Sequence, residues 1–192
     1  MLLSIIMCSA LVLSSCVQSL YPLTENKNQI VFKPELLGQW KENDGTEYLV
    51  NNSNDKIYRV AIVDHRRSDN ISSDTSHFLM TLVSINGKYF LDCMPDTTQP
   101  LFQRSGEEVL NFTFPVHCIL KLKSVSKTSV EIASIDNGEV EKLMQQKKFS
   151  INYESVDKDR NLLVEKPEKL QQKLAELEKF PSAYGKDILQ RK

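Results

Sequence analysis

The 192-residue chain has no excess of either charge: 24 Lys and Arg face 25 Asp and Glu, a formal net charge of -1. Without a basic surplus, nothing draws it to phosphate backbones or anionic headgroups. Its longest basic cluster, His65-Arg66-Arg67, is one short turn. Nucleic acid is therefore not an expected partner. Histidine is scarce, at three residues. There is no G-x-S-x-G elbow, no H-E-x-x-H helix and no Gly-rich phosphate loop. Cys93 and Cys118 do not form a C-x-x-C, and no two histidines stand at ligand spacing, so no metal and no cofactor is expected.

Long apolar runs are also missing. The first fifteen residues, MLLSIIMCSALVLSS, carry no charge at all, but a bilayer-spanning helix needs about 20 apolar residues. The run matches the apolar region of a secretory signal, which ends in small residues that a signal peptidase accommodates. Leu13-Ser14-Ser15-Cys16 then resembles the lipobox of bacterial lipoproteins. That resemblance implies cleavage before Cys16, a diacylglycerol on its thiol and a further acyl chain on the freed amine. One chain binds a membrane marginally, whereas two or more anchor it stably. Lys and Arg are absent ahead of the apolar run, which departs from the signal pattern and would fit a start codon further upstream. Val17 and Gln18 follow the cysteine. In enteric bacteria an aspartate there retains a lipoprotein in the inner membrane, so the expected location is the cell envelope, on the outer membrane.

The remaining length suits one domain, and shares of 41% apolar and 26% charged residues are ordinary for a globular fold. The expected layout is a signal peptide at 1–15, a lipidated N-terminus and tether at 16–34, a β-barrel at 35–136 and a helical segment at 137–192. The tether reading rests on Pro22, Pro34 and the polar run Thr24 to Gln29, which offer little to bury.

From residue 36 to about 136 apolar and polar residues alternate in short blocks, as half-buried strands require. Candidate strands are Leu37–Glu42, Thr46–Asn51, Lys56–Val63, His77–Ile85, Lys88–Met94, Val116–Lys123 and Ser129–Ile135. Asn86-Gly87 between two of them is the strongest hairpin signal, since both residues tolerate the positive φ of a type I′ turn. Short strands joined by short turns suggest a meander that closes into a barrel or sandwich. Phe78, Met80 and Leu82 share one face of their strand; on the next, Phe90 and Met94 lie opposite Leu91 and Cys93. With both faces partly apolar, an outer cover is needed, and the C-terminal third supplies it. There Asn137–Gln146 reads as a helix, Asn161–Glu165 as a short strand or extended link, and Ser182–Gln190 as a last short helix. Pro167 opens a helix whose Leu170, Leu174 and Leu177 form one stripe.

Gly38-Gln39-Trp40 resembles the G-x-W motif of lipocalins and other calycins. The resemblance implies a glycine that lets the chain turn into the barrel floor, a tryptophan that plugs it, and a late arginine across the indole. Arg191 would take that last part, a cation–π contact of about 0.5–2 kcal/mol. More widely, residues 16–23 (CVQSLYPL), Leu36–Trp40, Phe90-Leu91-Asp92 and Pro115-Val116-His117 resemble a group of small bacterial lipoproteins to which no activity is attached. The expected fold class is therefore mainly β, an antiparallel calycin-like barrel with C-terminal helices packed against it.

Cys93 and Cys118 each sit in a strand. An exported protein lives where disulfides persist, so the two could be bridged, or could be two small buried apolar residues. For catalysis the candidates are thin. His65 lies beside Arg66 and Arg67, His117 is a lone strand histidine, and Asp92 reads as a strand-end carboxylate capping the turn around Pro95. A buried Asp92–His117 pair in a cleft would point to an enzyme. The sequons at Asn51, Asn70 and Asn111 carry no meaning behind a bacterial lipobox. The expectation is a noncatalytic envelope protein, membrane-bound through its acyl chains, with a small apolar ligand in the barrel. The alternative is a solid barrel that docks another envelope protein, which inward-facing Phe78, Met80, Phe90 and Phe112 would favour. Eight-stranded barrels do either.

Overall fold

Alternation of period two puts successive side chains on opposite faces of a strand, so a strand apolar on both faces needs cover on both. The computed structural model, which describes residues 17–54, 56–64, 74–98, 116–157 and 160–192, meets that need with a barrel and a layer outside it. Its strands are β1 (Gln18–Ser19), β2 (Ile30–Val31), β3 (Gly38–Lys41), β4 (Glu47–Asn54), β5 (Ile57–Asp64), β6 (Asp74–Ile85), β7 (Lys88–Pro95), β8 (His117–Val125), β9 (Ser129–Ser134), β10 (Tyr153–Asp157), β11 (Arg160–Leu163) and β12 (Asp187–Arg191). Among the described residues there are also two α-helices, α1 (Asn137–Gln145) and α2 (Pro167–Leu177).

Strands β3 to β9 pair antiparallel in chain order, and β12 closes the ring between β9 and β3. The result is a closed eight-stranded, calycin-like antiparallel barrel with helices packed against it. Asn86 and Gly87 turn between β6 and β7 at φ 50 and 76, the positive values that a type I′ turn needs. Strand β8 is shared. Its later half pairs with β9, while Cys118 and His117 pair with Gln18 and Ser19 of β1. Through β1 the sheet runs on into the β10–β11 hairpin.

Two cores follow from this. Inside the barrel, Trp40, Tyr58, Met80, Leu82, Leu91, Leu122, Val130 and Leu189 are buried together. Outside, Val83, Ile85, Phe90 and Ile119 pack against the leucines of α2, with Leu143, Phe149 and Leu163. Leu82 and Val83, like Phe90 and Leu91, are neighbours serving opposite cores. Pro167 starts α2, and Leu170, Leu174 and Leu177 are all buried. Each such leucine contributes roughly 1.5–3 kcal/mol, which fixes the helix to the barrel wall. Asp136 caps α1 by accepting from the Glu139 N–H at 3.0 Å.

Four expectations need correction. Residues 182–190 do not form a helix: a 3-10 turn at Pro181–Ala183 leads into β12, because Leu189 faces the barrel interior and the backbone completes the ring. The C-terminal segment is thus not purely helical, since it also carries β10 and β11. Residues 17–34 are not a loose tether. Val17 and Leu23 are buried in the outer core, Ser19 is buried too, and Ile30–Val31 pairs with the free end of β6. The polar run between them hid this, because its few apolar residues are spaced for docking onto an existing wall. Finally, Phe90 faces outward, not into the barrel.

Candidate functional site

One end of the barrel is built as a closed floor. Gly38 has φ +130, and a Cβ there would stand 2.5 Å from Arg191 Nη1. Glycine is required both by the backbone and by the guanidinium beside it. Trp40 is 1% exposed, and its Nε1 donates to the Leu36 carbonyl at 2.9 Å. The Arg191 guanidinium carbon lies 4.3 Å from the centre of the indole ring. Its Nη2 donates to the carbonyls of Glu35 and Leu37, and its Nε to that of Lys127. Arg191 thereby ties the N-terminal approach, the β8–β9 turn and the last strand into one plug. Phe32 stacks on Tyr58, ring centres 5.0 Å apart, and the Tyr58 hydroxyl accepts from the Lys33 N–H at 2.7 Å. Residues 30–37 thus cross under the floor.

The opposite end is different. It is where β5 ends, β6 begins, β7 ends and β8 begins. There the inward-facing Ile62, Phe78, Cys93, Leu120 and Ile132 are only half-buried, whereas Val60, Met80 and Leu91 beneath them are buried. These half-buried side chains form a ring at this end of the barrel, above the buried layer. Tyr48 joins this ring, its hydroxyl donating to Glu42 Oε2 at 2.9 Å. Burial first, then the charge and hydrogen bond of Glu42 and the nearby Asp44 and Asp187, hold the Tyr48 phenol far above its ordinary pKa. It is therefore a protonated, neutral group in an electronegative corner. Burial likewise raises the Asp187 carboxyl, against the lowering charge of Lys123.

Outside the barrel wall the structure brings together Asp92 and His117, from neighbouring strands. Asp92 Oδ1 lies 2.6 Å from His117 Nδ1, with side chains 5% and 14% exposed. The other oxygen, Oδ2, accepts from the Leu23 N–H at 2.7 Å. Ser19, the strand partner of His117, has its hydroxyl donated to the Tyr21 carbonyl. Both carboxylate oxygens thus hold structure, and the pair sits under the N-terminal segment: it is a latch that fastens Leu23 to β7. Asp92 does not cap the turn after β7. That part falls to Asp96, which is fully buried, lies 3.0 Å from Arg59 Nε and accepts from both the N–H and the hydroxyl of Thr98. A buried aspartate following Pro95 was the available signal, but it looks like any loop carboxylate until Arg59 is placed across from it.

Cys93 and Cys118 stand directly opposite each other on β7 and β8. His77 lies half-buried on β6, its carbonyl accepting from the Asp96 N–H. Cys16, His65 and Phe112, with the sequons at Asn70 and Asn111, lie outside the described residues. Among the described residues no cluster of three or more metal-ligating side chains forms, and no helix is long and apolar enough to cross a membrane. Compared with models of protein families, with curated proteins and with solved structures, the chain matches none.

Proposed function

We propose that this chain is an exported lipoprotein, held to a bacterial membrane by acyl chains on Cys16, whose barrel binds a small apolar ligand in its upper half without catalysis. The observation that carries the reading is the ring of half-buried, inward apolar side chains (Ile62, Phe78, Leu120 and Ile132) above buried Val60, Met80 and Leu91. Apolar walls with a few placed polar groups are what small-molecule sites present. Here the polar group is the Tyr48 hydroxyl, and the acidic residues around it disfavour a carboxylate head. The ligand class is an apolar body with a neutral or cationic polar end.

The test is uptake of an environment-sensitive fluorescent probe with a neutral head by residues 17–192. The expected result is saturable binding, stronger than for a carboxylate probe of equal chain length and weakened at least tenfold by Ile62→Lys. Failure of every probe to bind would instead favour the solid barrel that docks another envelope protein.

A further inference from the structure

The barrel layer and the helix layer do not meet everywhere. Between α1, α2 and the β10–β11 hairpin lies a small apolar cleft, partly open to solvent. Val140, Met144, Phe149, Ile151 and Leu174 line it, and so does Val17. Val17 is 4% exposed, and Cys16 is bonded directly to it. Among the described residues, the exposed large apolar side chains are Leu20, Leu49 and Tyr153. Two of them are near this cleft: Tyr153 lines it and pairs with Leu163, while the Leu20 N–H donates to the Leu163 carbonyl.

We infer that one acyl chain carried by Cys16 folds back along this cleft and lies against its accessible wall, Val140, Met144 and Tyr153. The inference rests on the lipidation of Cys16 proposed above. It commits to the chain's own acyl group because the attachment point is the residue next to Val17, which makes the encounter intramolecular and its effective concentration high. Each methylene covered leaves water, which favours the folded-back chain. A partly occupied cleft therefore shields the chain whenever the protein is off the membrane.

The experiment is to grow a bacterial host expressing the full chain with a diazirine-bearing fatty acid, purify the protein in mild detergent, irradiate it and map the cross-links. Intact mass of the N-terminal peptide first reports whether Cys16 is acylated; an unmodified or uncleaved N-terminus would overturn the lipidation reading itself. With acylation present, cross-links from the N-terminal peptide to residues 137–153 are expected, reduced at least fivefold in Met144→Glu. That variant changes a half-buried rim residue, and its fold can be checked by circular dichroism. Acylated protein whose label reaches only detergent or lipid would overturn the inference. Label on Leu20 in vesicles, without any in 137–153, would do the same and assign the patch to the bilayer.

Discussion

The inside of the barrel and the layer outside it bury apolar residues of the same strands, yet they are built by different rules. The inner core is a product of alternation along β3 to β9, closed by a single late strand. Its members lie close in sequence, apart from Leu189 and Arg191, and it is finished at one end by the Trp40 plug. The outer core is assembled from far apart: Val17 and Leu23 at one end of the chain, the leucines of α2 at the other, and the outward faces of β6, β7 and β8 between them. It is held by a few specific polar contacts, the Asp92–His117–Leu23 latch chief among them. The lesson is that one sheet can carry two cores with separate tasks. The inner one keeps the barrel closed, and the outer one fixes the helices and the N-terminal approach.

Breaking the plug gives the largest effect. Trp40→Ala removes a fully buried indole and leaves Arg191 without its ring, with an expected loss of about 3–5 kcal/mol, read from chemical denaturation. Reduction is next. Cys93 and Cys118 sit opposite each other, and directly opposed antiparallel residues have Cα atoms about 4.5–5.5 Å apart, within disulfide reach. The structure has no disulfide between them; a bridge closed on export would make both resist alkylation until reduced. Cys93→Ser would then lower stability by about 3–4 kcal/mol for the loop enclosed, and rapid alkylation of both thiols in native exported protein would refute the bridge.

These outcomes bear on what could be read beforehand. The strands were legible because Lys56–Val63 or His77–Ile85 alternate cleanly, and Asn86-Gly87 announces its turn. The leucine stripe of α2 was legible because 170, 174 and 177 fall on one helical face. Strand β12 was not, since Ile188-Leu189 is too short an apolar run to carry a period, and only ring closure decides it. Likewise nothing local in Asp92 or His117 reports that a register between two strands brings them within 2.6 Å. Of the candidate site, the floor residues Gly38, Trp40 and Arg191 were nameable from a motif. The half-buried ring was not, because alternation tells which side chains point inward and not whether they meet at the centre.

The outer layer yields smaller effects. Asp92→Ala leaves His117 and the Leu23 N–H without their partner and is expected to cost about 1–3 kcal/mol, with limited proteolysis now cutting within residues 17–30 while the barrel stays intact. If barrel and segment come apart together, the latch is part of one cooperative unit and the division between cores is blurred. The smallest effect is at Glu165, which is buried between the Asn152 N–H and Lys169. Burial pushes its carboxyl up, but the hydrogen bonds and charge of these partners outweigh it and hold the pKa below its ordinary value. Its stabilisation is present above the ordinary carboxylate range and lost as pH falls through the lowered value. Glu165→Gln should therefore cost about 0.2–1 kcal/mol at neutral pH and flatten the acid limb of the stability curve.

The proposed ligand site in the barrel is tested most directly by native mass spectrometry of residues 17–192 expressed in a bacterial host. The expected spectrum carries a reproducible extra mass that disappears on denaturation, or gains one stoichiometric adduct when neutral apolar compounds are added, and Ile62→Lys abolishes either. A bare protein mass that takes up nothing would contradict the account and leave a solid barrel.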